Sequence, residues 1–251
     1  MNQPASKVRR HAGTLLFIAT LAALFAAYLR LSQTYAENSD EANILLMASD
    51  MAHGNLLLSG WRISDVPFLN TELPEAAVLV KLFGLHLNTA HIAALTYTVV
   101  VAIALLLAKG REAGPRALTR MAIALAVMLA PQPGVGVFVM VFSVGHIGTA
   151  APVMLTWLVL DRRPGWTRRR GRRWSTPLVV GLLLAWALMA DPLVLVVAII
   201  PLFVVVPVRL SVGSRPRLQN GSGLHAIRRA MADRWLEAAL VPAAAAACLL
   251  A

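Results

Sequence analysis

The stretch VMLTWLVLDRRPGWTRRRGRRWSTPLVVGLLLAW, Val153–Trp186, decides the fold. An apolar run closes at Leu160, seven arginines follow between Arg162 and Arg173, and a second apolar run opens at Pro177. Arginine is costly inside hydrocarbon, so an Arg-rich link between apolar runs belongs in water at one face of a membrane. The same alternation extends outward in both directions. Apolar runs occupy Gly13–Leu31, Thr89–Ala108, Ala117–Leu129, Val137–Leu160, Pro177–Ala190 and Pro192–Val208. A seventh begins near Trp235 and is still apolar at Ala251.

The links carry the orientation. With the N-terminus inside, inner segments hold three basic residues before the first run, four from Lys109 to Arg120, seven from Arg162 to Arg173 and six from Arg209 to Arg234. That leaves three outside, Arg30, Arg62 and Lys81. Lys and Arg stay cytoplasmic beside spans, so the asymmetry predicts a cytoplasmic N-terminus. The net charge of +11 therefore reads as topology and not as a nucleic-acid surface, because 58% of the residues are apolar. The basic start Lys7–Arg10 followed by Ala12–Leu29 also resembles a signal peptide. Its apolar core exceeds the ~7–15 residues usual there, so an uncleaved anchor is expected. Arg outnumbers Lys 20 to 3, a bias of GC-rich coding that points to a bacterial plasma membrane. Cys248 is the single cysteine, so no intrachain disulfide is expected.

Most of the acid lies in one place. Seven of the twelve carboxylates fall between Leu31 and His86, the outer loop after the first run. Asn38-Ser-Asp-Glu41 reads as a helix start, with Asn38 as cap and Glu41 closing a capping box. Ile44, Met47, Ala48 and Met51 recur at helical spacing, and Gly54 and Gly60 end the pattern. Thr71-Glu-Leu-Pro-Glu75 starts a second helix with Pro74 in its first turn, and Ala76, Val80, Phe83 and Leu87 form its stripe. The expected fold is all-α: a polytopic helix bundle of six spans plus a partial seventh, with two interfacial amphipathic helices in the first outer loop. Residues 1–251 then form a single transmembrane domain, incomplete at its C-terminus.

Ser39-Asp40-Glu41-Ala42 opens that outer loop. A cytoplasmic N-terminus, one span, an outer loop starting with an Asp-Glu pair, two interfacial helices and further spans resemble the N-terminal half of the GT-C glycosyltransferases. That superfamily includes the protein mannosyltransferases and aminoarabinose transferases. The resemblance covers roughly residues 10–210. It implies transfer of a sugar from a polyprenyl-phosphate carrier to an acceptor on the outer face, with Asp40 as base or acceptor-orienting group and Glu41 beside it. The partners it implies are a lipid-linked sugar donor, membrane lipids and an acceptor whose identity stays open. The chain is shorter than is usual for the superfamily.

The residue types fit such chemistry. An attacking hydroxyl must lose its proton, and a carboxylate within hydrogen-bond reach can take it. The leaving phosphate needs positive charge or a divalent metal. Arg62 and Lys81 are the fixed cations within the loop and hence the phosphate-binding candidates. His53, His86 and His91 match no tight metal spacing, so the metal question stays open. Each acid also has a plain structural role: Asp40 and Glu41 in a first helical turn favour the helix dipole. Asp191 is a candidate cavity acid, since a near-membrane carboxylate is costly, but Asp191-Pro192 also reads as a turn. A transporter or flippase with helices broken at Pro131–Gly134 and Asp191-Pro192 is the main alternative, and a non-catalytic membrane scaffold the other.

Overall fold

A computed structural model describes residues 3–34, 39–63, 68–91, 93–130, 147–162, 175–212, 239–246 and 248–249. Outside them lie Asn38, Asp65, the Pro131–Gly134 feature, His146, most of the Arg162–Arg173 cluster and the Trp235 start of the last run. Among the described residues every regular element is helical and none is a strand.

The chain order is α1 (Gln3–Ser32), α2 (Ser39–Ala52), α3 (Glu72–Phe83), a 3-10 turn (Leu87–Ala90), α4 (Ala93–Lys109), α5 (Pro115–Met128), α6 (Ile147–Asp161) and α7 (Ser175–Ala190). A π-helical turn (Leu195–Ile199) then leads into α8 (Ile200–Val212). The two helices expected between residues 31 and 86, α2 and α3, start where capping and periodicity place them. The second apolar run begins later than expected, because Leu87–Ala90 forms the 3-10 turn and the α-helix starts only at Ala93. His86 and Thr89 close a capping box there.

One described helix is long and apolar enough to cross a membrane: 22 residues of α1, His11–Ser32. Near an N-terminus that helix suits a span or a signal sequence alike. Its apolar side chains stay uncovered, with Leu15, Leu16 and Ile18 more than half exposed. Ala94–Lys109, Ile147–Asp161, Ser175–Ala190 and Leu195–Val206 are shorter apolar helices.

The described chain divides into two compact units. The first holds Met1–Trp61, Glu72–Ala102 and Leu125–Ile147. In it α2 packs on α3, burying Ile44, Leu45, Met47, Ala48 and Met51 from one helix and Leu73, Ala76, Ala77 and Val80 from the other. The expected α3 stripe holds at Ala76 and Val80; Phe83 is exposed at the helix end, and Leu87 lies beyond it, at the start of the 3-10 turn. Tyr28 of α1 meets Tyr97 of α4 edge to face at 4.8 Å, and the Tyr97 hydroxyl donates to the Met128 carbonyl at 2.8 Å.

The second unit holds Arg62–Thr71, Ile103–Ala124 and Gly148–Ala251. Its core joins Val180, Leu184 and Ala187 of α7 to Val194, Ala198, Ile199, Leu202 and Val206, with Leu240 and Ala244 from the helix 239–246. Gly181 lets that last helix approach closely: a Cβ there would stand 3.2 Å from the Ala243 carbonyl oxygen. Basic links close the helix ends. Arg111 donates twice to the Asp161 carbonyl at 3.0 and 2.7 Å, at the end of α6. Arg162 donates to the Leu106 carbonyl at 2.9 Å, in the last turn of α4. Guanidinium groups thus satisfy carbonyls that helix C-termini leave open, where the dipole also favours a cation.

Candidate functional site

The end of α2 is tied into a polar knot. Residues Asn55–Trp61 turn back so that Asp50 accepts from Trp61 Nε1 at 2.9 Å and from Asn55 Nδ2 at 2.6 Å. Asn55 also bridges Ser59, receiving its amide at 2.8 Å and donating to its carbonyl at 3.1 Å. The Trp61 bond first, then the Asn55 bond, holds the Asp50 carboxyl below its ordinary range. Gly54 and Gly60 take φ of 110° and 90°, conformations that side chains resist. Leu58 adopts φ 51° although it is not glycine, and its side chain is fully buried. Burial of that leucine offsets a backbone cost of about 1–3 kcal/mol. Lys81 of α3 reaches the Ala52 carbonyl at 3.3 Å, placing a cation at the C-terminal end of α2.

A cleft of about 290 Å³ opens beside this pair, within the first unit. Phe25 and Leu29 near the end of α1, Leu79 and Phe83 of α3, and Leu95 of α4 give it apolar walls. Gln33, His86, Asn88, Thr89 and His91 supply polar groups, with Gln33 Nε2 donating to Asn88 Oδ1 at 3.1 Å. Its walls thus suit a ligand that is apolar at one end and polar at the other.

α3 carries two acids on its docked side. Glu72 is 2% exposed. Glu75 is partly buried and its Oε2 accepts from the Thr96 hydroxyl of α4 at 2.8 Å. Burial pushes the Glu75 carboxyl up to about 7; the Thr96 bond opposes the rise and repulsion from Glu72 adds to it.

Within the first unit the sequence candidates Asp40, Glu41 and Lys81 do not converge. Asp40 is exposed in the first turn of α2, whereas Glu41 next to it is 3% exposed. A helix turns about 100° per residue, so adjacent acids face different ways. Lys81 meets the far end of α2, about 18 Å of helix rise from Asp40. Arg62 is exposed and belongs to the second unit. Asp191, also in that unit, is 1% exposed, and its Oδ1 accepts the Leu193 amide at 2.9 Å. With Pro192 next in line, this is an N-cap for the helix that follows. Among the described residues no three His, Cys, Asp or Glu side chains group to hold a metal ion. Sequence reasoning took Glu72 and Glu75 only as a helix start; flanking Leu73, Ala76 and Ala77 were the available sign that this turn is docked.

Comparison of the chain with protein-family models, curated proteins and solved structures finds no match.

Proposed function

We propose that this chain is a polytopic plasma-membrane protein with a cytoplasmic N-terminus that transfers a sugar from a polyprenyl-phosphate carrier to an acceptor on the outer face, in the manner of GT-C glycosyltransferases. The observation that carries the reading is the cleft. Its apolar walls at Phe25 and Leu29 continue the uncovered apolar surface of α1, and its polar groups follow at Gln33, Asn88 and His86. A lipid-linked donor has that same division between chain and head. The topology draws support from the second unit, where Arg111 and Arg162, from two links both assigned to the inner face, cap helix ends. The roles proposed are base or acceptor orientation for Asp40, support from Glu41, and phosphate contact for Arg62 and Lys81.

The test is turnover of a polyprenyl-phosphate sugar by protein reconstituted in lipid. Asp40→Asn keeps the helix cap but removes the charge, and should slow transfer ~10²–10⁴-fold, the usual effect of losing a general base. Glu112→Gln, which only breaks a surface pair with Arg120 at 3.1 Å, should not. Equal rates in both variants would remove Asp40 from the chemistry and the reading with it. A transporter is the second reading, favoured by the buried Asp191 at the break between two helices. Under it, Asp191→Asn should abolish ion-coupled uptake in vesicles while Asp40→Asn leaves uptake intact; uptake that survives Asp191→Asn would dismiss it.

A further inference from the structure

We infer that Glu75 and Thr96 form a proton-controlled latch that holds the outer-loop helix α3 against α4, closed when Glu75 is a neutral acid and weakened when it ionises. The latch does not depend on the sugar-transfer reading. It rests first on position. Thr96, 6% exposed, donates its hydroxyl to Glu75 Oε2 at 2.8 Å, and this bond ties α3 to α4. Around it α3 is apolar, with Leu73, Ala76 and Val80 buried in the packing with α2, and the Thr96–Glu75 bond adds the tie to α4. A carboxylate there loses water on docking, while a carboxylic acid loses much less.

It rests second on Glu72. Residues three apart lie on one helix face, so Glu72, which is buried, and Glu75, which is partly buried, share that face, and the Glu72 charge acts on Glu75. Two neighbouring carboxyls shielded from water resist ionising together. The α3 dipole favours negative charge at this end, as does the Thr96 bond, yet burial outweighs them and Glu75 titrates near 7.

The groups around it are few. α2, which packs on α3, carries Asp40, Glu41 and Asp50; His86 and His91 flank the 3-10 turn; α4 carries Tyr97; α3 itself carries Lys81. Of these and Glu72, it is Glu72 whose charge acts on Glu75, and Lys81 is directed to the Ala52 carbonyl.

The sign follows from linkage. The docked carboxyl titrates at about 7 and the undocked one at its ordinary 4.5. Docking is therefore strongest below 4.5, weakens as pH rises through about 7, and changes little above that. The docking equilibrium should fall on the order of a hundredfold across that window.

Hydrogen exchange of residues 72–83 in the full chain, held in lipid nanodiscs and corrected for the intrinsic pH dependence, reads this directly. Between about pH 5 and about pH 8, wild-type protection should drop, with residues 53–61 as the internal standard for folding. Glu75→Gln, a permanent neutral acceptor for Thr96, should stay protected throughout. Glu72→Gln should keep the drop but move its midpoint to lower pH. A flat wild-type profile, a Glu75→Gln profile that follows wild type, or an unmoved midpoint in Glu72→Gln would each overturn the latch.

Discussion

Asn70 and Trp186 exchange two hydrogen bonds across 116 residues of chain. The Asn70 amide donates to the Trp186 carbonyl at 2.7 Å, and the Trp186 indole donates to the Asn70 carbonyl at 2.5 Å. The pair pins the segment before α3 to the side of α7. Trp186→Phe keeps most of the ring area but removes one donor. It should cost about 0.5–1.5 kcal/mol, the net worth of one such bond. Thermal unfolding in detergent would register this as a lower midpoint, and an unchanged midpoint would show that the pair carries no stability.

Gly181 separates two effects of opposite sign. An alanine there gains about 0.5–1 kcal/mol of helix preference but must push the Ala243 backbone by a few tenths of an ångström. Those terms are comparable, so Gly181→Ala should lie near neutral. Gly181→Leu adds volume with nowhere to go and should lose about 1–3 kcal/mol, in line with overpacking elsewhere. Equal stability of the two variants would mean that the helix 239–246 does not press on α7.

Asp50 supplies a pH dependence opposite to that of Glu75. Its carboxyl is held below the ordinary 3.8 by Trp61 and Asn55, so its contribution is present above 3.8 and fades as pH falls through the lowered value. Trp61 emission should therefore shift in acid as the knot releases, and Asp50→Asn should show the released spectrum already near neutrality. Emission in the variant identical to wild type at neutral pH would remove the carboxylate from the knot.

The topology is open to labelling because Cys248 is the single cysteine. In a Cys248→Ser background, Ser59→Cys should react with an impermeant thiol reagent on intact cells. Gly171→Cys should react only after permeabilisation. The reverse pattern would invert the proposed orientation.

Helix positions were legible because local signals agree with one another. Ser39–Glu41 and Glu72–Glu75 mark starts by charge and Pro placement, and Ile44, Met47, Ala48 and Met51 mark a face by period. The candidate site was less legible. Position along a sequence does not say which way adjacent residues point, so Asp40 and Glu41 read as a pair although one is exposed and the other buried. Glu75 carried no local sign of perturbation, because the rise comes from burial in the folded packing, and its hydrogen-bond partner Thr96 lies 21 residues away. The Asp50–Trp61 knot spans 11 residues and depends on the turn between them, which the glycines announced without its contacts. Asp191-Pro192 stood as either turn or cavity acid; the Leu193 bond supplies the capping geometry of the turn.

The π-helical turn Leu195–Ile199 marks where the helix after Asp191 holds one residue more than an α-helix of the same rise. Such a turn is what a single-codon insertion leaves behind when the flanking faces stay docked. Val194 is buried before it, Ala198 and Ile199 within it, and Leu202 and Val206 after it, while Val196 and Val197 face outward at 61% exposure each. Deleting the Val197 codon would remove the extra residue, turn the segment into regular helix and leave the faces before and after it in phase. The same deletion in α7, which has no such turn, would rotate all that follows by about 100° and take its buried face out of the core. In this stretch a one-residue deletion should therefore be milder than one elsewhere in the second unit's helices.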